Sequence, residues 1–241
     1  SGTPTPTPSG FQIFQNTLCK DCTATGCTTI NYPYTGLLTI ADNNVNCASS
    51  SVFTTDVSIT NSDPANILAV QVAYYQNGQT GTPSASCIIM QPLSTATLSN
   101  AVNTLFGSAA GTNNFGVLHF VVNTTATTPQ IMFNAYDVAH GTSSGPMVSS
   151  IPQAMLNKNG QVLNPMTNQG TTPGPGTTRS NILIVNPCTT GGGSSTFTLT
   201  PASGGTAQTF TLAPFQMQNV SVSSLSTTQN VSVTAQETGG P

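Results

Sequence analysis

Apolar and polar residues alternate along most of this chain, in short stretches that Gly, Pro and Asn residues separate. A period of two is typical of half-buried β-strands, and this pattern predicts strands over residues 35–40, 53–60, 67–75, 87–90, 116–122 and 130–138. Helical spacing is found over residues 94–106, where the apolar positions are Leu98, Val102, Leu105 and Phe106. The pattern therefore predicts an all-β protein with one short helix or helical turn.

The strand pattern occurs twice. Residues 56–62 (DVSITNS) align with residues 181–187 (NILIVNP), and the similarity continues through a turn, an apolar step before a proline, and a later apolar position. The matching features are Asn77-Gly78 with Gly204-Gly205, Met90-Gln91-Pro92 with Leu212-Ala213-Pro214, and Leu98 with Val220. We infer two copies of one β-unit.

The order of motifs in the second copy resembles that of Ig-like β-sandwich domains. Its signature is Arg179-x-Asn181-Ile182-x-Ile184-x-Asn186-Pro187, followed by a strand, a Gly-rich hairpin and an apolar-Ala-Pro step. Such domains occur in tandem in secreted bacterial surface proteins, so the resemblance implies a fold but not an activity. The predicted organisation is an N-terminal arm with a Cys-rich loop (1–31), a first sandwich (32–140), a linking segment (141–177) and a second sandwich (178–241).

Charge is scarce in this sequence. The 241 residues include 3 Lys plus Arg and 6 Asp plus Glu, with 37% hydrophobic residues. Nine charges cannot form the basic face that binds phosphates, so the composition excludes nucleic acid as a partner. No apolar run approaches the roughly 20 residues that a membrane-spanning helix needs, and we expect the chain not to span a membrane.

The cysteines and the start of the sequence predict an exported, extracellular protein. The sequence starts at Ser1, has no basic leader and holds six Cys, an even number that favours disulfides in an oxidising compartment. The disulfide candidates are Cys19, Cys22, Cys27, Cys47, Cys87 and Cys188, with Cys47–Cys87 as a provisional pair. Metal is not predicted, because the Cys19-x2-Cys22-x4-Cys27 stretch has no nearby fourth ligand. Candidate N-glycosylation sites are Asn123, Asn219 and Asn230.

The sequence predicts neither a catalytic site nor a cofactor. Residues 141–145 (GTSSG) match G-x-S-x-G, but Pro146 follows instead of a helix, and both His119 and His140 precede Ser143. The acidic residues form no pair at a recurring spacing, and Asp56 is expected to bond neighbouring backbone groups. Four tyrosines, Tyr32, Tyr34, Tyr74 and Tyr75, leave a surface glycan open as an alternative partner.

The second copy lacks a counterpart of the last strand of the first copy, residues 130–136. Residues 11–16 (FQIFQN) look similar to that strand and follow the Pro-rich residues 1–10. We therefore expect Phe11, Ile13, Phe14 and Leu18 to form an assembly strand that enters the second sandwich of a neighbouring subunit. This arrangement resembles donor-strand-complemented pili and threads. It implies a homopolymeric, head-to-tail filament subunit at the cell surface; the alternatives are a monomeric adhesin or glycan-binding module and, more remotely, a hydrolase.

Overall fold

A computed structural model of the chain divides it into two compact units, residues 1–155 and 156–241. The structure describes residues 10–23, 26–29, 37–46, 52–79, 82–123, 131–140, 147–149, 151–152, 161–167, 180–186, 193–226 and 230–238. Within these ranges the secondary structure is mainly antiparallel strand, and the predicted all-β class is confirmed.

The first unit is a β-sandwich with a small additional hairpin. Its strands are β1 (Phe11–Phe14), β2 (Lys20–Thr23), β3 (Gly26–Thr29), β4 (Leu37–Asn43), β5 (Val45–Asn46), β6 (Val52–Asn61), β7 (Leu68–Gln76), β8 (Ser84–Met90), β9 (Thr95–Leu98), β10 (Asn114–Asn123), β11 (Ile131–His140), β12 (Met147–Ser149) and β13 (Ile151–Pro152). One sheet has the order β1-β8-β7-β10-β4-β13, the other has the order β12-β11-β6-β5 with β9 also paired to β6, and β2 pairs with β3. All six strands predicted from the first copy are present.

The core of the first unit lies between the inner faces of its two sheets. On β6, Val57 and Ile59 are buried while Asp56, Ser58 and Thr60 are partly exposed, as the alternating sequence requires. Helix α1 (Ala101–Phe106), which a 3-10 helix (Gly107–Ala110) continues, packs into the same core. There Phe106 stacks on Tyr74 with 5.9 Å between ring centroids. Because the inward positions are almost all apolar, they exclude water from between the sheets.

The predicted helix over residues 94–106 is only partly correct. Residues 95–98 instead form β9, which pairs with β6, and the helix begins at Ala101. Along β9 the side chains alternate between exposed and buried, so Ala96 and Leu98 face the core at a strand spacing. The helical spacing of the apolar positions is therefore coincidental up to Leu98, and pairing with β6 determines the local conformation.

The second unit repeats the arrangement of the first with fewer strands. Its elements are β14 (Gln161–Thr167), β15 (Asn181–Val185), β16 (Ser195–Pro201), β17 (Gln208–Leu212), β18 (Met217–Ser221), α2 (Val222–Leu225) and β19 (Asn230–Thr238). One sheet has the order β14-β19-β16-β17 and the other contains β15 and β18. Ile182, Ile184, Leu199 and Val233 belong to the buried cluster of this unit.

Strand register confirms the internal repeat residue by residue. Val57 lies opposite Leu98 in the first unit, and Ile182 lies opposite Val220 in the second, as the sequence alignment pairs them. The order β8-β7-β10-β4 corresponds to β17-β16-β19-β14. Even an uncommon backbone conformation recurs, because Leu93 and Phe215, each following the matched proline, have φ angles of 53° and 57°.

The segment predicted as a connection, residues 141–177, contains three strands. β12 pairs with β11 and β13 with β4 in the first unit, whereas β14 pairs with β19 in the second. The division between the two units falls inside this segment, after residue 155. The segment therefore contributes strands to both units and does not merely connect them. Its strands are hard to see in the sequence because β12 and β13 are very short, β14 is irregular, and Gly and Pro residues surround them.

Candidate functional site

The N-terminal strand β1 lies at the edge of its own first unit. It pairs antiparallel with β8, with Phe11 opposite Met90 and Phe14 opposite Cys87. Phe11 and Ile13 pack against the core of this unit, whereas Phe14 and Leu18 are 41% and 42% exposed. The predicted insertion of this strand into the second sandwich of a neighbouring subunit is therefore wrong for the chain as described. Without β1 the outer edge of β8 would be unpaired, and this edge is nearer to β1 in the sequence than any strand of the second unit. A short strand can pair with any free edge.

A disulfide and three side-chain hydrogen bonds hold the segment after β1 in place. The disulfide joins Cys19 to Cys87, so the provisional Cys47–Cys87 pair is wrong. Asn16 lies beyond the β1–β8 ladder. Its backbone N–H donates to Ser86 Oγ at 2.9 Å, and its side-chain Nδ2 donates to the Phe106 carbonyl at 3.2 Å. Gln15 Nε2 donates to the carbonyl of Thr104 in α1 at 2.6 Å. The strand is thus tied covalently to β8 and non-covalently to α1.

The other cysteines give one further pair of facing positions. Cys22 on β2 lies directly opposite Cys27 on β3 in the antiparallel register. Cα atoms of facing residues in such a ladder are about 4.5–5.5 Å apart, a separation that a disulfide can bridge. Cys47 and Cys188 lie outside the described residues. The side chains that the structure describes contain no group of three or more His, Cys, Asp or Glu that could hold a metal ion.

The second unit has sheet edges that the first unit covers. In the first unit β1 covers the edge of β8, and β11 pairs with β6 along ten residues. In the second unit, among the described residues, the counterpart of β8 (β17) pairs only with β16, and the counterpart of β6 (β15) pairs only with β18. β14, the counterpart of β4, likewise lacks an equivalent of β13, so three strand edges that the first unit covers have no described partner in the second unit. The β15 edge is where the sequence comparison locates a missing strand.

Backbone hydrogen bonds show which groups of β15 point to its open edge. The Val222 N–H donates to the Ser180 carbonyl at 2.9 Å, and the Asn186 N–H donates to the Gln216 carbonyl at 3.0 Å. Hydrogen-bonded pairs in an antiparallel ladder occur at every second residue, so the even-numbered residues of this strand bond to β18. The N–H and C=O groups of the odd-numbered residues then face outward.

The five side chains of β15 include neither a charged residue nor a proline. β15 reads Asn-Ile-Leu-Ile-Val, with Ile182 and Ile184 buried and Leu183 40% exposed on the opposite face. Natural edge strands are usually protected from further pairing by lysine, proline or a bulge. β15 has none of these devices within its five residues, and it combines backbone groups that have no partner among the described residues with an exposed leucine.

A small surface depression lies beside two of the predicted tyrosines. It has a volume of about 190 Å³, and Tyr75, Gln76, Gln79 and Ser84 are among its lining residues. Tyr74 is a core residue whose hydroxyl donates to Asn114 Oδ1 at 2.6 Å; burial raises its pKa well above the usual value. Burial also raises the pKa of the Tyr75 hydroxyl. Tyr32 and Tyr34 lie outside the described residues, and of the two tyrosines that line the depression Tyr75 is the more exposed.

The candidate catalytic residues are not brought together in the part of the chain that the structure describes. Ser143 lies outside it, and only the backbone of His140 is described. His119 is half-buried on β10, where its ring lies 6.4 Å from that of Tyr75. The Asp56 carboxylate accepts a hydrogen bond from a backbone N–H, as expected, but the donor is Asn100 at 2.7 Å, 44 residues away in the sequence, and not a neighbouring group.

Of the candidate glycosylation sites, Asn219 is exposed on β18. Asn123 and Asn230 end β10 and begin β19, and only their backbone is described. No helix among the described residues is both long enough and apolar enough to cross a membrane.

Sequence reasoning missed a buried asparagine at the end of the matching strand in each unit: Asn61 is the last residue of β6, and Asn186 directly follows β15. The Asn61 side chain donates to the carbonyls of Asn66 and Gln91, both at 2.9 Å. Its counterpart Asn186 donates to the Leu212 carbonyl at 2.8 Å. Each asparagine is fully buried, so these bonds supply its amide with the partners that water cannot provide, and they join the strand end to neighbouring segments. The signal was available, since the same residue stands at the same position in both copies.

The loop after Asn61 contains a second polar cluster. The Asp63 carboxylate accepts hydrogen bonds from Asn66 Nδ2 at 2.9 Å, from the Ala65 N–H at 2.8 Å and from the Asn66 N–H at 3.0 Å. The Asn66 side chain, followed by the Ala65 N–H, lowers the pKa of this carboxyl group below its usual value. The cluster shapes the β6–β7 loop and does not form a ligand site.

Comparisons with known proteins identify no family for this chain. No family model and no curated protein matches it. Among solved structures, a bacterial adhesin from Mobiluncus mulieris containing intramolecular disulfide, isopeptide and ester bond cross-links is 11% identical. The match covers 77% of this chain and 74% of that chain, with a TM-score of 0.15. A similarity at this level carries no argument about fold or function, so the fold described above rests on the strands and their register.

Proposed function

We propose that this protein is a structural subunit of an extracellular cell-surface filament whose copies associate by β-strand pairing at open sheet edges. The observation that carries the proposal is the edge of β15, which has no described partner where the first unit has β11. An unprotected edge is a template for pairing with another chain.

The composition supports the same proposal. With nine charged side chains in 241 residues, the surface has little like-charge repulsion to keep copies apart. The N-terminal strand is not the donor in this proposal, because it pairs within its own unit and its neighbour Cys19 is bonded to Cys87. The contacts between copies belong instead to the second unit.

Imaging of the purified full-length chain tests this function. We expect negative-stain micrographs to show filaments and size-exclusion chromatography to show large species. Because the contact consists of backbone hydrogen bonds and apolar side chains, these species should persist at high salt, which would weaken a contact between exposed charges. A chain that stays monomeric across concentration and salt would contradict the proposal.

A second candidate function is a monomeric adhesin or glycan-binding module. The depression beside Tyr75 favours it, because an aromatic ring among amide and hydroxyl groups is suited to bind a sugar. A glycan array with the wild type and Tyr75→Ala tests it, with Gln12→Ala, on the exposed side of β1, as a matched control. Signal that Tyr75→Ala alone removes would favour the adhesin.

We also propose that the chain is not an enzyme. The basis is the sequence context of residues 141–145, which departs from a nucleophile elbow. Esterase, protease and glycosidase substrates should therefore give no turnover above a buffer control. An activity that disappears in Ser143→Ala would overturn this conclusion.

A further inference from the structure

Two features of β15 point to its partner. The backbone groups of three alternate residues, Asn181, Leu183 and Val185, face the open edge, and the strand is centred on Leu183. We infer that the β15 edge pairs antiparallel with the β15 edge of a second copy of this chain, about a two-fold axis that passes between the two Leu183 residues. The inference deepens the proposed function and rests on it in assuming that copies of the chain meet through the second unit.

The register is self-complementary. With Leu183 opposite its own copy, Asn181 lies opposite Val185 of the second copy, and Val185 lies opposite Asn181. Every outward-facing residue then belongs to a hydrogen-bonded pair, and each such pair exchanges two backbone hydrogen bonds. A shift by one residue would set inward-facing groups opposite outward-facing ones and lose these bonds, and a shift by two residues would leave one outward-facing residue of each strand without a partner in β15. The register centred on Leu183 therefore pairs the most backbone groups.

Side chains favour the same arrangement. Leu183 is 40% exposed in the single chain, and pairing brings it beside the Leu183 of the second copy on the same face of a continuous sheet. No charge lies on this strand to oppose its own copy. Ile182 and Ile184 stay in the core, so the contact needs no rearrangement of the unit.

The first unit shows the same kind of edge in its covered state. There β11 lies antiparallel along β6, and Asn134 on β11 lies opposite Ser58 on β6. Ser58 is the residue that the sequence alignment matches with Leu183. Ser58 is polar, whereas Leu183 is apolar, so the second unit has an apolar side chain at the centre of the uncovered edge. A two-fold contact of this kind closes on itself, and a filament therefore needs a second contact elsewhere.

Charge substitution at the centre of the strand tests the inference. Leu183→Lys and Leu183→Glu each place like charges opposite one another, and each should weaken dimerisation by at least about tenfold in analytical ultracentrifugation. An equimolar mixture of the two variants should restore dimers, because Lys then faces Glu. Only a self-pairing contact predicts this rescue.

The matched control is Thr211→Lys on β17, another strand of this unit whose outer edge has no described partner; its side chain is exposed in the single chain. It should leave dimerisation unchanged. Circular dichroism of each variant checks that the fold is intact, which we expect because Leu183 is outside the core.

The outcomes separate this contact from the proposed function. Filaments that persist in Leu183→Lys, or a mixture that does not restore dimers, would overturn the β15 contact and leave the structural function in place. Dimers that obey the rescue but never extend into filaments would overturn the filament and leave the contact in place. Loss of dimers in Thr211→Lys with no effect at Leu183 would transfer the contact to β17.

Discussion

Removal of the Cys19–Cys87 disulfide tests how the N-terminal strand is retained. The bond joins residues separated by 68 positions, and both side chains are buried, at 1% and 3% exposure. In the double variant Cys19→Ala/Cys87→Ala, the unfolded chain regains the entropy of an open loop of that length. The chain-entropy relation gives a loss of stability of about 4 kcal/mol for the first unit at room temperature.

Loss of the disulfide should also act locally on β1. Without the covalent link, β1 is held by a four-residue ladder and by the hydrogen bonds of Gln15 and Asn16 to α1 and β8. An edge strand with so few contacts opens at a low free energy. We therefore expect β1 to detach before the rest of the first unit unfolds.

Amide hydrogen exchange followed by mass spectrometry measures both effects. A loss of about 4 kcal/mol corresponds to roughly a thousandfold faster exchange through global opening in β7 and β10, with still faster exchange in β1. The second unit is an internal control, because the disulfide lies wholly in the first unit. Exchange in β7 and β10 within about tenfold of the wild type would refute the loop-entropy argument. Equal protection of β1 and β8 in the variant would refute the local one.

Three further predictions address other parts of the fold. Gly205→Ala should destabilise the second unit by at least about 1 kcal/mol in denaturant titrations, because a Cβ atom there would overlap a backbone carbonyl, whereas Gly193→Ala, in open space, should have little effect. Hydrogen bonds from a side-chain amide and from backbone N–H groups lower the pKa of Asp63 in the folded state. Its contribution to the stability of the first unit is therefore complete above the unfolded pKa near 4 and disappears as the pH falls through the folded pKa. Asp63→Asn should be less stable than the wild type at pH 7, and the two stabilities should converge in acid. Peptide mapping without reduction should find Cys22 linked to Cys27, and free thiols at both positions would contradict the register argument.

Local sequence determined the strands and the repeat. Alternation along one segment depends only on which face of that segment is buried, and each copy carries the pattern within its own residues. The matching registers of β6 with β9 and of β15 with β18 confirm the alignment made from sequence. The scarcity of charge is likewise a property of composition, and it limits the classes of partner without reference to the fold.

Only the tertiary structure decided which strand edges meet. Alternation at Phe11 and Ile13 indicates a strand but not its partner, because every open edge presents the same backbone groups; β8 is the partner that the fold brings near. The pairing of Cys19 with Cys87 follows from that contact, since a disulfide requires Cα atoms within about 7 Å. For the same reason residues 95–98 form a strand despite their helical spacing, because β6 lies beside them. The open edge of β15 is likewise a tertiary feature, because it results from which strands lie beside one another and not from the composition of any one of them.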